Sequence, residues 1–259
     1  MTDSVTGINL HYKIEGEGEP LVFLHGFLED HSMWDTIVPH FTEDGYQTIC
    51  IDLPCHGQSR FSDEACSTAQ MAADVHELLN RIAVDNPAVV GHSLGGYVGL
   101  ELLRLRPLKL TLLHSNFWED PESKKRDRDR VIKIVRKAKD IFIDEAIPHL
   151  FHETNREKCA ADIERLKRKA KEIPVNEIVA SSFGLRDRKS QYDLFENNRI
   201  HIIHGVEDPI LPMNLLETQL DFINGRADVY LIDKCGHMSM WEAPDQLVLH
   251  LKQILGTSA

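Results

Sequence analysis

Ala88-Val89-Val90-Gly91-His92-Ser93-Leu94-Gly95-Gly96 is the stretch on which the reading of this chain turns. A short apolar run, Ala88 to Val90, enters a G-x-S-x-G sequence. Beyond it Tyr97, Leu100, Leu103 and Leu105 recur at helical spacing until Pro107 stops the helix. Strand, sharp turn and helix are the context in which G-x-S-x-G holds a serine in a strained conformation with its Oγ exposed. Side chains at 91 and 95 would strike the neighbouring strand and helix, so both positions need glycine, and Gly96 allows a further close approach. The helix start brings backbone N–H groups and a positive dipole end toward Ser93.

The same alternation of strand and helix extends to either side. Ile8 to Ile14 alternates apolar and polar residues like a half-buried strand, and Gly16-Glu17-Gly18-Glu19-Pro20 is a turn. Leu21–His25, Thr48–Ile51, Leu108–His114, Ile200–His204 and Val229–Ile232 are short apolar runs, the pattern of parallel strands covered on both faces. Met33–Phe41, Ala69–Ile82 and Gln246–Leu255 carry apolar residues at helical spacing. Alternating strands and helices imply a mostly parallel, doubly wound α/β sheet with right-handed crossovers.

Between Pro121 and about Leu194 the pattern is helical throughout. The net charge of −12 is unevenly spread: Glu119 to Ala170 carries 15 Lys+Arg against 12 Asp+Glu, while the remainder carries 14 against 29. The chain is therefore expected to form one α/β core from residues 1–116 and 196–259, with an all-helical cap at 117–195. A lid over the carboxyl ends of the strands is the economical place for it. Most of its basic residues are expected on a solvated helix face.

At 259 residues, 42% hydrophobic and 27% charged, the chain has the make-up of a globular protein with a large core. The acidic balance argues against nucleic acid as a partner. No apolar run approaches the ~20 residues of a membrane span. The first residues lack the pattern of a signal peptide. Five cysteines without a CxxC pair fit a reducing compartment. The expectation is a cytoplasmic protein, monomer or homodimer, acting on a small molecule. Among fourteen histidines there is no HExxH or other close-spaced ligand set, so neither metal nor organic cofactor is expected.

A serine hydroxyl needs a base within hydrogen-bond reach and a third group to orient that base. His237, in Cys235-Gly236-His237-Met238 after the last strand, stands where the base belongs; His204, at a strand end, is its competitor. Asp208, in Gly205-Val206-Glu207-Asp208-Pro209, is the candidate acid and Glu207 its rival. The order Ser93, Asp208, His237 is that of G-x-S-x-G enzymes on α/β sheets. The oxyanion donors would be the backbone N–H groups of Leu94 and, from His25-Gly26-Phe27-Leu28, of Phe27. Leu28, Tyr97, Trp118 and Met238 stand beside these motifs as candidate pocket walls.

The sequence resembles the α/β-hydrolase superfamily along nearly its full length. The resemblance is carried by Leu24-His25-Gly26-Phe27, Asp52-Leu53-Pro54-Cys55-His56-Gly57-Gln58-Ser59, Gly91-His92-Ser93-Leu94-Gly95-Gly96, Gly205-Val206-Glu207-Asp208 and Gly236-His237. It implies the α/β-hydrolase fold, Ser93 as nucleophile, Asp208 as orienting acid, His237 as base, Phe27 and Leu94 at the oxyanion positions, and a variable helical cap. One departure is Cys55, where the family usually has glycine; a positive φ there would strain cysteine.

Among the family's reactions, haloalkane dehalogenases and epoxide hydrolases place Asp at the elbow, so Ser93 disfavours both. Hydrolysis of a small carboxylic ester through an acyl-enzyme is the first expectation. C–C bond hydrolases and menaquinone-pathway lyases of similar sequence are the alternative. The lyases carry a carboxylate-binding Arg four residues after the nucleophile, where this chain has Tyr97; Arg128, Arg130 or Arg136 of the cap remain as sources of a cation. A non-catalytic binding protein on the same fold is the third reading.

Overall fold

The computed structural model describes residues 10–256. Its sheet has seven strands: β1 (Tyr12–Glu15), β2 (Glu19–Leu24), β3 (Tyr46–Ile51), β4 (Ala88–His92), β5 (Lys109–Leu113), β6 (Ile200–Gly205) and β7 (Ala227–Ile232), in the order β1-β3-β2-β4-β5-β6-β7. All neighbours are parallel except β1, which runs antiparallel to β3 at the edge. The first expected strand begins later than its alternation suggested, and Ile8 and Asn9 lie outside the described residues.

Alternate residues of each strand face opposite layers. Leu21 and Phe23 of β2 join one core with Trp34, Phe41, Val90, Leu113, Trp241 and Leu251. Val22 and Leu24 join the other with Met71, Val75, Val98, Leu110 and Leu216. Helix α1 (Val38–Thr42) and the helix Pro244–Leu255 therefore cover one face, and α2 (Thr68–Arg81), α3 (Leu94–Leu105) and α7 (Met213–Phe222) the other. Burial on both faces explains why these strands read as continuous apolar runs.

The helix expected over Met33–Phe41 is two pieces, a 3-10 turn at His31–Trp34 and α1. Pro39 is the physical reason. It lacks an N–H and clashes with the carbonyl four residues back, so it fits the first turn of α1 and cannot continue a helix from upstream.

Between β5 and β6 the chain leaves the sheet for α4 (Glu122–Ala146), α5 (Ala160–Glu172) and α6 (Val175–Asp187). This insertion is pinned to the sheet layers. Cys66 N–H donates to Ala180 O at 3.1 Å, and a Cβ on Gly184 would lie 1.9 Å from Cys66 O, so only glycine lets α6 approach there. Along α4, Arg130 pairs with Asp127 and Arg136 is exposed, as expected of a solvated face.

The strand order places the site. The chain passes from β2 outward to β3, then crosses to β4 on the other side of β2. A crevice opens beyond the carboxyl ends of strands at such a switch point. The loops that begin at His25, after β2, and at Ser93, after β4, meet there.

Candidate active site

Ser93 adopts φ 49°, ψ −110° between β4 and α3. Such a backbone stores of order 1–3 kcal/mol of strain, and close packing holds it. A Cβ on Gly91 would stand 2.4 Å from Gly95 O, and one on Gly95 2.3 Å from Leu24 O. Ser93 N–H donates to Leu113 O at 2.9 Å, and Ser115 Oγ–H donates to Ser93 O at 2.8 Å. Leu94 opens α3, so its N–H has no carbonyl one turn back within the helix.

Across the crevice, His237 Nδ1–H donates to Asp208 Oδ2 at 2.7 Å. In the neutral ring Nε2 is then the unprotonated nitrogen, the tautomer a base requires. Asp208 Oδ1 accepts the Ile210 and Leu211 amides at 2.8 and 3.0 Å, which fixes the carboxylate's orientation. His114 Nδ1 lies 3.2 Å from Asp208 Oδ2 and 3.3 Å from the Gly205 amide nitrogen, and its Nε2 lies 2.8 Å from Ser239 Oγ. Burial alone would raise the Asp208 carboxyl. The charge of His237 and the hydrogen bonds from both histidines outweigh burial and hold it well below the usual carboxylate range. Burial pushes His114 itself down to about 3.

The competitors are otherwise engaged. His204 Nε2–H donates to Leu211 O at 2.8 Å, and Glu207 Oε2 accepts the Cys235 amide at 3.0 Å. Ser93 is half-buried, and its described contacts run through its backbone. Hydrogen bonds between nucleophile and base commonly tighten only once substrate is bound.

Phe27, in the loop after β2, is half-buried and edge-on to His56. Leu28 takes φ 66°, the left-handed region, while buried. His25 braces the loop: Nδ1–H donates to Gly26 O at 2.7 Å, and Nε2 accepts the Leu53 N–H at 2.9 Å. Met238 is fully buried in the core beside Trp241. Tyr97 accepts from Asn116 Nδ2 at 3.0 Å and lies under the Arg188 guanidinium at 4.1 Å. Trp118 packs edge-on to Phe117 and to Phe222 of α7. Arg128 is held by Asp120 at 3.0 Å. Cys55 does take a positive φ, 72°, so cysteine there is strained; it is buried among apolar residues.

Three buried groups at the site were not singled out by the sequence. Glu29 and His92 are partners at 2.9 Å, 63 positions apart. Glu242 accepts from the Gly236, His152 and Asn155 nitrogens at one oxygen and from the Met238 amide at the other, all within 3.0 Å. With His237 N–H donating to Leu150 O at 2.8 Å, the base loop is stitched to the helical insertion. The one local signal was an acid five positions after His237.

Among the described residues, two clusters bring His and Asp ligand atoms within 4.8 Å of one another: His114, Asp208 and His237, and His11, His31 and Asp52. Hydrogen bonds account for both. In the second, Asp52 accepts from the His31 and Gln58 amides and from both imidazoles, which fastens the loop after β3 to the 3-10 turn.

A family model described as "Alpha/beta hydrolase family" matches residues 21–250. A soluble epoxide hydrolase of Corynebacterium sp. is 34% identical over 94 residues, 36% of this chain and 32% of that protein. The dihydrolipoyllysine-residue acetyltransferase component of an acetoin cleaving system from Cupriavidus necator is 36% identical over 99 residues, 38% of this chain and 26% of that protein. The matched stretches thus span about a third or less of these relatives. A thermophilic esterase from Thermogutta terrifontis, with malate bound, superposes with a TM-score of 0.87 over 95% of this chain and 93% of its own, at 24% identity. That likeness establishes the fold.

Proposed function

The chain belongs to the alpha/beta hydrolase family, and we propose that it is a serine hydrolase cleaving small carboxylic esters through an acyl-enzyme. The observation that carries this reading is the pairing of a strained Ser93 elbow with a His237–Asp208 hydrogen bond of 2.7 Å at the same end of the sheet. His237 Nε2 takes the Ser93 proton as Oγ attacks the acyl carbon. The amides of Leu94 and Phe27 receive the developing oxyanion. His237 then protonates the leaving alcohol, and in deacylation it activates water for attack on the acyl-enzyme. Asp208, kept ionised by its surroundings, holds the imidazolium that forms in each step.

Residues 117–195 serve in this reading as a cap that closes the acyl site, with Leu28, Tyr97, Trp118 and Met238 as the side chains beside it. Serine at the elbow disfavours epoxide hydrolysis, for which the family resemblance implies Asp at that position. Lyase chemistry is not favoured. Tyr97 replaces the carboxylate-binding Arg, and the nearby Arg188 spends its three nitrogens on Asp120, Trp118 O and Leu185 O. Among the described residues no helix is long and apolar enough to cross a membrane, and all five cysteines are buried free thiols, which supports a cytoplasmic setting.

A fluorophosphonate probe tests the reading. The native protein is expected to label at neutral pH, and Ser93→Ala to lose the label. Hydrolysis of p-nitrophenyl esters of graded acyl length, run beside an anionic dienoate, then ranks ester against C–C substrates. His237→Ala is expected to lower kcat about 10⁴-fold or more. No labelling of the native protein would refute a serine nucleophile.

A further inference from the structure

Glu29 and His92 lie outside the triad, yet their hydrogen bonds reach the loop after β2 and the loop that carries His237. Glu29 follows the oxyanion loop and is 2% exposed; His92 precedes Ser93 and is fully buried. Glu29 Oε2 accepts the Gly26 N–H at 2.5 Å and faces His92 Nδ1 at 2.9 Å. His92 Nε2 faces the backbone carbonyl of His237 at 2.8 Å. One short path therefore joins the residue before Phe27, the residue before Ser93 and the base residue itself.

The two faces of the His92 ring fix its proton count. Nδ1 meets a carboxylate oxygen and Nε2 a carbonyl oxygen, both acceptors. A neutral imidazole has one N–H and would leave one nitrogen lone pair against an acceptor. His25, at the end of the adjacent strand β2, is the contrast: it meets one acceptor and one donor, which a singly protonated ring satisfies. Packing leaves the pair no room to part. A Cβ on Gly26 would come 2.6 Å from Glu29 Oε2 and 2.7 Å from His92 Nδ1, so glycine is needed there to let the pair close.

We propose that Glu29 and His92 form a buried carboxylate–imidazolium tie that sets the mutual register of the oxyanion loop, the elbow and the base loop. They are positioning residues, and the proposal rests on the serine-hydrolase reading for its kinetic consequence, though not for the tie itself. Because the pair is net neutral, it can remain buried without presenting an unpaired charge to Ser93. Other groups facing it are His25 beside Glu29, and the His237 ring at 4.9 Å, the His114 ring at 5.8 Å and Asp208 beside His92. Burial by itself would lower His92 and raise Glu29. The mutual attraction and hydrogen bond reverse both, so that His92 is raised and Glu29 lowered.

Two measurements test the tie. In ¹⁵N-histidine NMR of the native protein, one ring is expected to keep both nitrogens protonated above pH 8, where an ordinary imidazole (~6.5) is neutral. The signal is assigned by its loss in His92→Gln and is expected to become singly protonated in Glu29→Gln. A His92 ring that titrates like an ordinary imidazole in the native protein would overturn the proposal, whatever the variants or the enzyme assay do. The second measurement is p-nitrophenyl acetate hydrolysis. Glu29→Gln, His92→Gln and the double variant are each expected to lose about 10- to 100-fold in kcat with KM little changed, since small displacements of reacting groups cost on that scale. The double variant should lose no more than either single one, because both break the same tie. Additive losses, or none, would refute a shared positioning role. If the native protein neither labels nor turns over, the functional reading fails while the NMR result still decides the tie.

Discussion

Lowering the pH from 7.5 to 5 is expected to weaken the fold through His56 and His114. His56 lies fully buried in the loop after β3. Burial, and secondarily the neighbouring His25, push it down to about 3 against the opposing hydrogen bond to Pro54 O. His114 is pushed to about 3 by burial despite its contact with Asp208. In the unfolded chain both titrate near ~6.5. A histidine depressed in the folded state contributes fully above the unfolded value. That contribution is lost as the unfolded chain takes up protons that the folded one refuses, between about 6.5 and 3. At ~1.36 kcal/mol per pH unit, each site gives up about 2 kcal/mol by pH 5, or about 4 together, against a typical total of ~5–15. His31 and His92 are raised and act in the opposite sense; their contributions are present in acid and fade as pH rises, so they flatten the overall slope. The single-site effect is isolated by His56→Asn, whose Nδ2–H can replace Nδ1–H toward Pro54 O. Urea unfolding at pH 7.5 and 5 is expected to show an acid loss about 2 kcal/mol smaller in the variant than in the native protein. Equal acid losses would refute the assignment of His56 as a buried neutral imidazole.

Glu242→Gln directs an amide N–H₂ at converging donors and strands at least the Met238 N–H. Denaturant unfolding should report a loss of about 1–3 kcal/mol, with kcat falling more than KM because the His237 loop loosens. At Cys55 the left-handed backbone reverses the usual order of small residues. Cys55→Gly should be more stable than Cys55→Ala by about 1 kcal/mol, where an ordinary site would favour alanine; urea midpoints of the two variants decide it.

The sheet and elbow were legible because their causes are local. A parallel strand covered on both faces must be apolar throughout, so β2 and β6 declared themselves as short runs. The elbow's glycines are forced by backbone approaches of 2.4 Å or less, and that requirement is written at the very positions concerned. The direction of β1 was not legible, since alternation gives exposure and says nothing about which way a partner runs. The break before α1 could have been read from Pro39, whose ring forbids the helix that apolar spacing alone suggested.

The groups that hold the triad in place escaped for a different reason. Glu29, Glu242 and His92 look in sequence like ordinary polar residues, and their meaning lies in partners 63, 90 and 145 positions away. A buried carboxylate is tolerable only where donors converge on it, and convergence belongs to the folded chain. The consequence for this protein is that its catalytic order is set by two such carboxylates acting on different loops. Glu29 binds the oxyanion loop to the elbow, and Glu242 binds the base loop to the helical insertion. Lifting the insertion would remove the His152, Asn155 and Leu150 partners of the base loop in one movement. In the proposed reading of residues 117–195 as a cap, closure over substrate and alignment of His237 are coupled, and a variant that loosens the insertion should lose kcat even when Ser93, Asp208 and His237 are intact.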